Sequence, residues 1–127
     1  MIRKDIVYIA MIRKDIVYIA GPMTGLAGFN RSSFTTASIF LTTQGYEVRN
    51  PGCLPTDWAN YDHYMEVALI MLEQCDQIVF LPGSAHSKGA TVEWGFAEAN
   101  GIPASAMLLT PIMGDLIKEF VANGGKL

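Results

Sequence analysis

Four strand-like runs alternate with stretches of helical periodicity, and that alternation constrains the fold more than any other feature of the chain. Ile16-Val17-Tyr18-Ile19-Ala20 is apolar, rich in β-branched residues, and stops at Gly21-Pro22. Tyr46–Arg49, Ile78–Leu81 and Ala104–Leu109 are the other three runs. Short apolar runs bounded by turn residues suit strands covered on both faces. A first helix is expected after the loop 21–28, N-capped by Asn30. It would carry Phe34, Ala37, Leu41 and Gln44 on one face and stop at Gly45. A second runs from about Tyr61 to Gln74, with Tyr61, Tyr64, Met65, Ala68, Leu69 and Leu72 on one face. Val67, Ile70 and Met71 give it a second apolar side, which predicts a subunit contact. A third covers Ala90 to Asn100, and Pro111 opens a last one to about Val121. This order predicts a single-domain α/β fold, a doubly wound parallel sheet with right-handed crossovers.

Residues 1–10 and 11–20 both read MIRKDIVYIA. Two perfect copies of ten residues are not a solenoid signal. Residues 1–10 are therefore expected to be a duplicated artefact or extension, and 11–127 the working domain. Deleting the first copy is expected to leave folding and ligand binding unchanged. Half the 127 residues are apolar and only 17% are charged, which excludes disorder. A net charge of -3 without a Lys/Arg run argues against duplex nucleic acid or an anionic membrane as partner. No apolar stretch approaches the roughly 18 residues of a spanning helix. Cys53 and Cys75 stand alone, are expected to be partly buried and inert, and suit a reducing cytoplasm.

In open α/β sheets ligands bind beyond the carboxyl ends of the strands, near the switch in strand order. Two loops have the composition for this, Gly21–Gly28 after the first strand and Pro82–Gly89 after the third. Each leads to a helix N-terminus, where free N–H groups favour an anion. Ser84, Ser87, Lys88 and Gly89 in the second loop suit a phosphate. Glu93 follows about one turn into the helix, where spacing alone also allows a simple interaction with the helix dipole. No Walker A pattern, G-x-G-x-x-G or metal-ligand spacing is present, so no cofactor and no metal are expected. His86 and His63 are expected to be solvated, and Asp76, at the far end of its strand, structural.

Tyr18-Ile19-Ala20-Gly21-Pro22-Met23-Thr24-Gly25, Phe29-Asn30, Asn50-Pro51, Cys75-Asp76, and Ser87-Lys88-Gly89-Ala90-Thr91-Val92-Glu93 with Ala97 and Gly101 occur in this order. Together they resemble the nucleoside 2-deoxyribosyltransferase superfamily over residues 11 to about 105. The similarity is to its short phage- and prophage-type members and to 2′-deoxynucleoside 5′-monophosphate N-glycosidases. The resemblance implies a flavodoxin-like fold of strand order 2-1-3-4-5, a homodimer or higher assembly, and chemistry at a nucleoside or nucleotide N-glycosidic bond. It implies Glu93 as nucleophile and Tyr18 as the residue that orients it. Ser87 falls where nucleotide-hydrolysing members hold a 5′-phosphate. Gly21, Pro22, Met23, Thr24, Gly25, Asn30, Gly89 and Ala90 complete the expected substrate-binding set. One position departs from the family: Ala68 stands where an aspartate usually supports the sugar and the nucleophile. Asp62 or Glu66 would have to substitute, or the chain is a nucleotide-binding protein without turnover, a sensor or sponge in phage–host conflict.

Overall fold

The computed structural model describes residues 14–55, 60–107 and 122–124. The first decapeptide copy, the expected last helix and any fifth strand lie outside the described residues. Four strands, β1 (Ile16–Ala20), β2 (Glu47–Arg49), β3 (Gln77–Phe80) and β4 (Ala104–Ala106), alternate with three helices, α1 (Arg31–Thr43), α2 (Tyr61–Glu73) and α3 (Lys88–Ala99). The sheet is parallel throughout in the order β2-β1-β3-β4. Tyr18 pairs with Arg49 on one side and Ile78 on the other. The strand order reverses between β1 and β3, so their carboxyl ends form the crevice where the site is expected.

Alternation along β1 divides the core in two. Val17 and Ile19 face one side, where Phe34, Ala37 and Leu41 of α1 pack on Val79 and Leu81. Tyr18 and Ala20 face the other, among Leu72, Cys75, Ile78 and Ala97. A tyrosine thus sits fully buried in the layer between the sheet and α2–α3, and its hydroxyl needs a partner there. Gly21 continues β1 where a side chain would crowd Leu81: a Cβ there would lie 3.0 Å from Leu81 Cβ.

Several local expectations are corrected. Asn30 does not cap α1 with its side chain. It adopts a left-handed conformation, with φ 60°, and its Nδ2 donates to Pro22 O at 2.9 Å. The bond ties the loop after β1 to the start of α1. Gln44 leaves the buried face and is exposed, because α1 ends at Thr43. Gly45, at φ 92°, supplies the expected left-handed stop. Cys53 is exposed, since the turn Pro51–Cys53 buries its first two residues instead. Cys75 is buried, donates to Met71 O at 3.3 Å, and burial pushes its thiol up to about 11. Asp76 accepts from Ile16 N at 2.8 Å, which pins the entry of β1 against β3. Of α2, Met65, Ala68 and Leu72 are buried and Ile70 is exposed.

Candidate active site

Ser87 opens α3 by accepting from Ala90 N at 3.2 Å, which is an ordinary N-cap. The helix then buries Ala90, Glu93 and Ala97, positions on one stripe against the sheet. Glu93 is six residues into α3 rather than in its first turn, and only 6% exposed. The helix-dipole reading does not apply at that depth. Two small alanines flank Glu93 on the stripe, leaving room for Tyr18 to reach it from β1. The Tyr18 hydroxyl donates to Glu93 Oε2.

Burial pushes the Glu93 carboxyl up to about 7, and the Tyr18 hydrogen bond pulls it back down. Burial and then the Glu93 charge hold the Tyr18 phenol well above its usual range. Tyrosine therefore keeps its proton and donates, and Glu93 accepts. Withdrawing that donor should be visible. Tyr18→Phe is expected to raise the Glu93 pKa by roughly one to two units, the worth of a hydrogen bond to a charged group. A carboxyl-carbon NMR titration reads it directly, and an unmoved titration would show that the phenol does not support the carboxylate.

Glu93 opens onto a pocket of about 240 Å³. This is the small end of ligand pockets, sized for a small molecule rather than a polymer. Gly21, Met23 and Thr24 come from the loop after β1, and Ser87 and Gly89 from the start of α3. Of the other residues expected on the wall, Pro22, Gly25, Asn30 and Ala90 are not part of it. Pro22 offers its carbonyl to Asn30, Gly25 turns the loop at φ 81°, and Ala90 is buried with its N–H on Ser87. Neither Asp62 nor Glu66 replaces the carboxylate absent at Ala68. Both are exposed on α2 and off the wall, and Ala68 is fully buried. Among the described residues, Glu93 is the one carboxylate lining the pocket. His63 and His86 are exposed and off the wall.

The rest of the wall was hidden in the sequence. Phe29 and Phe34 precede and enter α1, Pro51, Leu54 and Pro55 follow β2, and Tyr61, Tyr64 and Met65 begin α2. The Tyr64 hydroxyl donates to Pro51 O at 3.0 Å and touches Met23 Sδ at 3.0 Å, joining three segments of the wall. Burial, and next the Glu93 charge, push its phenol up to about 12. The signal for this wall is a pair of tyrosines three residues apart on an otherwise aliphatic helix face. An aliphatic core has no use for two hydroxyls, whereas a polar-tipped pocket does.

The arrangement has two chemically distinct ends. One holds a buried carboxylate whose pKa lies near neutrality. The other is the N-terminus of α3, where the first amides have no intrahelical acceptor, and where the Ser87 hydroxyl keeps its own proton to donate. Aromatic and apolar side chains lie between. Among the described residues no group of three or more His, Cys, Asp or Glu could hold a metal ion, and no helix is long and apolar enough to cross a membrane.

The family described as Domain of unknown function (DUF4406) matches residues 15–105. No curated protein shows significant sequence similarity to the chain. The fold is similar to that of the CMP N-glycosidase BcmB from Clostridium botulinum, at 15% sequence identity and a TM-score of 0.49, covering 84% of this chain and 98% of that one.

Proposed function

Because the chain belongs to the DUF4406 family, a domain of unknown function, its activity has to come from the chemistry of the site, and we propose that it cleaves the N-glycosidic bond of a nucleoside 5′-monophosphate. The observation that carries this reading is Glu93: a buried carboxylate, held by Tyr18, facing a pocket with aromatic walls and a helix N-terminus. The carboxylate attacks C1′ through an oxocarbenium-like transition state. The C1′–N bond breaks, its electron pair leaves with the base, and the base takes a proton from water, since among the described residues Glu93 is the one carboxylate lining the pocket. Glu93 is left as a glycosyl ester. Water then releases the sugar phosphate and restores the carboxylate, or a second base accepts the sugar. Met23, Phe29 and Tyr61 flank the base, and Ser87 with the first amides of α3 takes the phosphate.

The nucleophile must be ionised, so kcat/KM is expected to rise with pH through about 7 and then level. The test is chromatographic. Purified protein is incubated with ribo- and 2′-deoxyribonucleoside 5′-monophosphates of all common bases, and free base is measured. Release from at least one supports the proposal. Binding of nucleotides with no base released from any of them contradicts it.

A second reading, a nucleotide-binding protein without turnover, draws on Ala68 and on Glu93 being the one carboxylate of the wall among the described residues. It predicts tight binding that Glu93→Gln leaves unchanged. Self-association is a further part of the proposal, supported by Ile70 and Trp94, which are 58% and 56% exposed.

A further inference from the structure

Lys88 is the first residue of α3, and its neighbours Ser87 and Gly89 both line the pocket. Its Nζ lies 5.0 Å from the centre of the Tyr61 ring. Tyr61 opens α2, lines the same pocket and is 39% exposed. The Tyr61 hydroxyl comes close to α3: a Cβ on Gly89 would lie 3.6 Å from it. The ring therefore closes the gap between the starts of two helices, and an ammonium rests on its face.

We propose that Lys88 is the residue that distinguishes phosphorylated from unphosphorylated ligand, held on the Tyr61 ring in the empty pocket and moving to the phosphate when a nucleotide enters. The inference rests on the nucleotide reading of the site and adds the source of its charge selectivity. A dianionic phosphate entering this pocket meets an acidic chain of net charge -3 and the Glu93 carboxylate, so neutral donors alone leave it repelled. Of the other lysines and arginines among the described residues, two are placed elsewhere or engaged and one, Arg31, lies near the pocket wall. Arg31 donates to Leu54 O at 2.7 Å, but its buried Nε has no hydrogen-bond partner and its charge pulls down the Tyr64 phenol on the pocket wall, so it is the rival cation that a preference surviving in Lys88→Met would point to. Arg49 pairs with Glu47 at 3.0 Å, and Lys14 precedes β1 at the end of the strand away from the crevice. An exposed cation–π contact is weaker than a charge-assisted hydrogen bond to a phosphate oxygen, so the exchange runs toward the ligand. Resting on the ring also keeps the long lysine side chain beside the pocket rather than free in solvent.

The experiment measures dissociation constants by calorimetry for the four common 2′-deoxynucleoside 5′-monophosphates, each against its parent nucleoside. It uses the full chain as wild type, Lys88→Met and Lys88→Arg. Wild type is expected to prefer the phosphorylated member. Lys88→Met is expected to lose about tenfold of that preference while its nucleoside affinity stays put, and Lys88→Arg to keep most of it. Wild-type preference that survives intact in Lys88→Met overturns the role of Lys88 and leaves the nucleotide reading standing. Equal affinity of wild type for nucleoside and nucleotide also overturns it. Wild type that binds none of the nucleotides overturns both.

Discussion

Glu93→Gln is expected to abolish release of base, by roughly a thousandfold or more in kcat, while the protein folds and still binds nucleotide. The amide nearly matches the carboxylate in shape and still accepts from the Tyr18 hydroxyl, but it is no nucleophile. The same substitution should change stability with a definite pH signature. The folded carboxyl titrates at about 7 against 4.5 for an ordinary glutamate. The native state therefore binds the proton more tightly than the unfolded chain. The stability this contributes is fully present below about pH 4.5 and is lost as pH rises through 7. At roughly 1.4 kcal/mol per unit, ionised Glu93 lowers stability by about 3 kcal/mol above that pH. Glutamine carries no such penalty. Urea melts should thus find Glu93→Gln more stable than wild type at pH 8, with the gap closing toward pH 5. A variant that is inactive and equally destabilised at both values would instead mark a damaged fold.

Phe34→Ala is expected to give the largest loss of stability, about 3–5 kcal/mol. Phe34 is 1% exposed and packs with Val17, Ile19, Ala37 and Leu41. It also reaches the pocket wall, and it is close to the turn after β2: a Cβ on Gly52 would lie 2.8 Å from its own Cβ. One ring therefore joins α1, the sheet and the loop after β2, and no neighbour can follow an alanine inward without moving one of them. A domain of this size has on the order of 5–15 kcal/mol in total, so the loss is a large share. Phe34→Leu, which keeps most of the volume, should lose far less. Equilibrium urea unfolding at constant slope reads both. A loss under about 1 kcal/mol for the alanine variant would contradict the packing described here.

The framework of the fold was legible because burial on both faces leaves a plain mark. The run Ile16–Ala20 has that mark, and so does the spacing of Phe34, Ala37 and Leu41. What the run does not disclose is which face each residue takes, and that assignment is what brings Tyr18 to Glu93. Asn30 looked like a cap because its residue type suits one. Its backbone is left-handed, as are those of Gly28 and Phe29 before it, and no local pattern announces three such residues in succession. From spacing alone Glu93 reads as a dipole partner. Its burial depends on the alanines at 90 and 97, a stripe too small and too short to stand out. The aromatic wall was the least legible part. Tyr61, Tyr64 and Phe34 share helix faces with core residues, and only the tertiary structure separates those that meet the sheet from those that meet the crevice.

If Glu93 forms a bond to the sugar, the mass of the peptide containing Glu93 records it. Wild-type protein turning over a nucleotide substrate is quenched in acid, digested and analysed. A fraction of that peptide heavier by one sugar phosphate is expected, absent from Glu93→Gln. Base release that proceeds without any such adduct, and at an undiminished rate in Glu93→Gln, would contradict it.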